Sequence, residues 1–118
     1  MLMMESKYCE VSSQQLEKYM SKLHTRVHWL LIYKEEDYQL LDEYFSSLLF
    51  KIGGLNSLLG EPWELLDLLS VLEAARLENN KSDCDFKLYR KAILDAHAII
   101  DKYVDTIKNP TSVQNVNN

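Results

Sequence analysis

The stretch FKLYRKAILDAHAIIDKYVDTIK, residues 86–108, decides the fold class. Phe86, Tyr89, Ile93, Ala96, Ile100, Tyr103 and Ile107 recur in alternating steps of three and four. Those steps keep one apolar stripe on one side of an α-helix over its whole length. Asn109-Pro110 stops the helix, because proline has no amide hydrogen to donate and clashes with the preceding turn. Upstream, Ser82 with Asp85 three residues on is similar to a capping box, with aspartate in place of the usual glutamate.

Working back from this helix, the same periodicity returns three times. PWELLDLLSVLEAARLE (62–78) opens with a proline suited to a first helical turn. It is expected to bury Leu65, Leu66, Leu69, Leu72 and Leu77. Before it, Leu41, Tyr44, Phe45, Leu48, Leu49 and Ile52 form a stripe that Gly53-Gly54 is expected to end as a C-cap. LNSLLGEP (55–62) then reads as a connector with room for one helical turn. The first helix carries Leu16, Met20, Leu23, Val27 and Leu30, with Ser12 and Ser13 as N-caps. Glu35, Glu36 and Asp37 would oppose the dipole of a helix C-terminus and suit an N-terminus. A break near Lys34 is therefore predicted, with a second helix starting there; a single long kinked helix is the alternative. No segment sustains period-two alternation, so no sheet is expected. The prediction is an all-α, antiparallel four-helix bundle or close relative in one domain. Its bounds are 12–108, between a flexible N-terminal segment 1–11 and a disordered polar tail 109–118.

Composition narrows the function. The chain has 118 residues, a net charge of −5, and only three glycines and two prolines. Residues 35–85 carry twelve acidic groups against three basic ones, whereas each flank carries five basic and three acidic. An acidic middle does not suit direct nucleic-acid binding, which needs clustered Lys and Arg. It reads as a solvated helix face or as a surface that meets a basic partner. Cys9 and Cys84 stand far apart without a CxxC pairing, as free thiols in a reducing cytoplasm would. The N-terminus lacks the basic start and apolar run of a signal peptide, and no run approaches the roughly 18 apolar residues of a membrane span. A cytoplasmic protein with no membrane association and no cofactor is expected.

In WLLIY (29–33) the apolar residues go nearly all round the helix, so burial on more than one side is implied. Trp29, Ile32 and Tyr33 are the expected contact residues of a homodimer or partner interface, and Glu35, Glu36, Asp37, Asp42 and Glu43 its acidic rim. The functional expectation is a non-enzymatic helical protein acting through protein–protein contact with itself or with a basic-surfaced partner. A regulatory, inhibitory or adaptor role, such as mobile elements encode in small acidic proteins, fits by analogy of fold class.

Three constellations bear on enzyme chemistry. His24 and His28 are one helical turn apart, as are His97 and Asp101, and facing helices could bring all four to one metal. Neither the Glu-x-x-His repeat of di-iron bundles nor His-Glu-x-x-His accompanies them, so histidines on a helix margin are the expected reading. Arg90 and His97, in YRKAILDAH, project from one side of the fourth helix. This pair resembles the Arg-x4–6-His signature of HEPN-domain ribonucleases, small all-helical proteins that are usually dimers. The resemblance covers about a dozen residues. It implies a metal-independent ribonuclease in which Arg90 steadies phosphate charge and His97 moves a proton. Lys91 stands where a polar residue often follows the motif arginine. Glu61 and Glu64 fit the first half of the magnesium motif of all-helical nucleotide pyrophosphohydrolases, but no Glu-x-x-Asp follows, and acidic residues in a first turn already satisfy the helix dipole.

Overall fold

The computed structural model describes residues 3–5 and 10–109, and the side chains of 12–109. Four helices account for most of it: α1 Ser13–Glu35, α2 Leu41–Leu58, α3 Trp63–Asn79 and α4 Phe86–Lys108. Ahead of them, Met3–Glu5 (β1) pairs antiparallel with Glu10–Ser12 (β2), a three-residue ladder where no strand was expected. The ladder is too short for alternation to show in sequence. It takes up part of the segment expected to be flexible. The remainder of that segment, and the tail beyond Asn109, lie outside the described residues.

Each neighbouring pair of helices runs antiparallel, as cross-links between opposite ends show. Lys108 near the end of α4 reaches Glu17 near the start of α1 at 3.4 Å, while Tyr89 near the start of α4 donates its hydroxyl to the Leu30 carbonyl at 2.7 Å. Arg76 late in α3 grips Asp42 early in α2, and Lys102 of α4 lies 5.0 Å from the ring of Trp63, the first residue of α3. Tyr44 of α2 donates to the Arg26 carbonyl of α1 at 2.9 Å. The core is the apolar stripe of every helix. The five α1 residues named above are buried, as are Leu41, Phe45, Leu48 and Ile52 of α2 and the α4 series from Tyr89 to Ile107. Phe86 is the one member of that α4 series left exposed.

The ends of the helices hold several corrections. Ser12 caps α1 through a reciprocal pair: its hydroxyl accepts from the Gln15 amide at 3.1 Å, and the Gln15 side chain accepts from the Ser12 amide at 3.3 Å. The break after α1 falls near the predicted place but is built differently. Glu35 closes α1, and Asp37 takes φ 58° while Tyr38 N–H returns to the Tyr33 carbonyl at 2.9 Å. That is a Schellman end, which aspartate enters more readily than most residues. The acidic trio therefore ends one helix rather than starting the next, and no continuous kinked helix exists. At the other boundary, Gly53-Gly54 does not cap α2. The helix runs on through Leu58, and Gly60, at φ 80°, makes the same turn with Glu61 N–H bonded to the Asn56 carbonyl at 2.8 Å. Burial of Asn56 and packing of Leu55 and Leu59 against the core extend the stripe past the glycines. This outweighs their cost of roughly 0.5–1 kcal/mol each inside a helix. Asp85, not Ser82, caps α4, accepting from the Lys87 amide at 2.9 Å.

In α3 the buried residues are Leu65, Leu68, Leu72 and Ala75, with Glu64. Leu66 and Leu77, expected in the core, face outward at 47% and 60% exposed. When apolar residues surround a helix, spacing alone does not say which side faces inward.

Candidate interaction surface

Two regions concentrate the residues singled out above. The first is the corner where α1 ends and α2 begins. Trp29, 40% exposed, stacks on Tyr33 with ring centres 5.4 Å apart. Tyr33 in turn contacts Tyr38 at 4.6 Å and Tyr44 at 5.1 Å. Tyr33 and Ile32 are thus half-buried by their own chain, and Trp29, Tyr38 and Leu40 are the exposed members. Glu35, Glu36, Asp37 and Glu43 are exposed. Asp42 is engaged internally. Its carboxylate accepts from Arg76 Nε at 2.8 Å, from the other Arg76 nitrogen at 3.1 Å and from Asn80 at 3.0 Å. These bonds hold its pKa down at about 2.

Sequence reasoning missed the outer side of α3. Trp63, Leu66 and Leu77 share the side away from the buried Leu65, Leu68 and Leu72, so α3 is apolar front and back. Asp67 and Glu73 stand exposed among them, and Glu61 just before the helix. Scattered exposed leucines need no explanation, whereas here Trp63, Leu66 and Leu77 gather on one helix face. The available signal was the LLDLL run itself, which has more leucines than one stripe can use.

The second region is the seam between α1 and α4. Here the histidines predicted from two separate spacings do meet. His24 Nε2 lies 2.7 Å from His97 Nδ1, their rings edge-on, and His28 sits 5.7 Å from the His97 ring. Asp101 Oδ1 is 3.5 Å from His24 Nε2. Burial first, and then the neighbouring His24 and His28, push the His97 pKa down to about 4. Its Nε2 is buried with no hydrogen-bond partner among the described residues. The short contact between the rings needs one nitrogen to donate and the other to accept, which ties up the lone pair of the accepting histidine. Among the described residues no group of three or more His, Cys, Asp or Glu is arranged to hold a metal ion. An open groove of about 840 Å³ runs along the outside of this seam past Glu17, His24, Asp101 and Lys108. Arg90 stands exposed two turns before His97 and does not line that groove. With its pKa near 4, His97 is neutral at pH 7, keeping one N–H and one lone pair rather than the two N–H groups of an imidazolium acid.

Among the described residues no helix is long and apolar enough to cross a membrane. No family, curated protein or solved structure matches the chain.

Proposed function

We propose that this protein is a non-enzymatic binding module that works by protein–protein contact in the cytoplasm, as a regulatory, inhibitory or adaptor subunit. The observation that carries the reading is the outward face of α3, where Trp63, Leu66 and Leu77 stand exposed beside Asp67 and Glu73. Lys102 covers the Trp63 ring at one end, while Asp67 and Glu73 suit a partner that offers basic residues opposite them around its apolar side chains. Leu77 lies one turn from the Asn79 and Asn80 side of a notch shared with Tyr33 and Tyr38, so the Trp29 corner and its acidic rim adjoin that end of α3. The test is affinity capture of the tagged protein from native lysate, with nuclease, alongside Leu66→Asp and Leu77→Asp. Both positions are exposed, so helicity should be unchanged while a stoichiometric partner is lost. A partner retained at full yield by both variants, or capture of nuclease-sensitive RNA alone, overturns the reading.

The ribonuclease alternative rests on Arg90 and His97. It requires cleavage of single-stranded RNA that His97→Ala abolishes without moving the melting temperature.

A further inference from the structure

The solvent side of α2 sets an exposed aromatic among small residues. Ser46, Ser47, Gly53, Gly54 and Ser57 lie on it, and in their midst Phe50 is 83% exposed, the most open large apolar side chain among the described residues. Nothing inside the monomer calls for glycine at 53 or 54. Both sit within the helix, neither has a positive φ, and a Cβ built at either meets no atom within 4 Å. Alanine would fit and would favour the helix. Glycine and serine on a helix surface let a second backbone approach closely.

We propose that α2 packs antiparallel against α2 of a second copy of this chain, each Phe50 seated over Gly53 and Gly54 of the other. Phe50 and the glycine pair are three and four residues apart, about 5 Å along one helix face. A two-fold axis midway between them matches knob to hollow twice, and such self-complementarity is what an isologous interface needs. Charge selects the occupant. From Tyr44 to Gly60 the chain has no acidic residue and a single base, Lys51, in a protein of net charge −5. Glu43 lies two turns away at the edge of this face; across its centre a basic partner finds nothing to pair with, whereas two acidic chains meet with little repulsion. The dimer shares the reading of this protein as a contact module but uses a different helix face from the α3 patch.

Sedimentation equilibrium of the full chain across a concentration series tests it, with circular dichroism to verify folding. The wild type should show a monomer–dimer equilibrium. Phe50→Ala should weaken it by about tenfold or more, the scale expected for truncating an aromatic anchor. Gly54→Leu should weaken it similarly while raising the melting temperature of dilute protein, because leucine fills the hollow but favours the helix. Leu66→Asp should leave the dimer intact, so loss of the α3 partner and loss of the dimer are read separately. A wild type that stays monomeric at every concentration overturns the proposal. So does a dimer whose affinity neither Phe50→Ala nor Gly54→Leu changes, which would place the interface on another face.

Discussion

The α1–α4 seam should make this protein lose stability on mild acidification, and one side chain should account for the loss. His97 titrates near 4 in the folded state against 6.5 for an unperturbed histidine. Above pH 6.5 it is neutral in both folded and unfolded chains and contributes no pH dependence. As pH falls from 6.5 toward 4, the unfolded chain takes up a proton that the folded chain refuses, so folding weakens. Below about 4 both states are protonated and the loss levels off. The full gap corresponds to roughly 3.4 kcal/mol at 1.36 kcal/mol per pH unit. Partial exposure of the ring reduces that to about 2 kcal/mol, or a fall in Tm of roughly 8 °C for a domain of this size. Urea unfolding followed by circular dichroism at pH 7.0 and at pH 4.5 measures it directly. The groups facing the ring are His24 and His28 from α1 and Asp101 on its own helix, and Asp101 pulls the pKa the other way. His97→Leu isolates the effect. At pH 7 it removes the 2.7 Å contact to His24 but also a buried nitrogen with no partner, so stability should change by less than about 1 kcal/mol. At pH 4.5 the variant should be the more stable protein, and the two pH profiles should cross. A wild-type profile flat between pH 7 and 4.5, or the same slope in His97→Leu, refutes the reasoning.

Other perturbations have separate signatures. The carboxylate of Asp42, held near 2 by Arg76 and Asn80, should add a second acid limb below the histidine window. Its stabilisation is present above the unfolded value of 3.8 and lost as pH falls through about 2. Because the pair is partly exposed, Asp42→Asn should cost about 1 kcal/mol at pH 7 and flatten that limb, read by the same urea titrations. Tyr89→Phe removes a buried hydroxyl bonded to the Leu30 carbonyl and should cost about 1 kcal/mol without changing helicity at pH 7. Phe45→Ala opens a void beside the Tyr89 ring, 6.1 Å away, and should cost roughly 3–5 kcal/mol in denaturant unfolding.

What could be read in the sequence follows from how many levels agreed at each place. In α1 and α4 the periodicity and the packing name the same residues, and the stripes Leu16–Leu30 and Tyr89–Ile107 lie in the core. Around Gly53-Gly54 the levels conflict. Local chemistry says stop, yet burial of Asn56 and packing of Leu55 and Leu59 beyond the glycines carry α2 on. In α3 there is no local conflict but too little information. Leu65 and Leu66 are chemically alike, and only the positions of α2 and α4 decide that Leu65 is buried and Leu66 left in water. The histidines lie between these cases. Their four-residue spacing on α1 and the matching pair on α4 put them on helix flanks, but only the antiparallel register of those helices sets His24 against His97. The misreadings at Gly53-Gly54 and at Leu66 and Leu77 fall on the two helix faces proposed as contact surfaces. A residue kept on a helix for contact with another molecule has no reason to agree with the periodicity of its own fold. Gly54 is the sharpest instance. The monomer would be better served by alanine there, so a replacement that improves the isolated helix is also one that should weaken the proposed α2–α2 dimer.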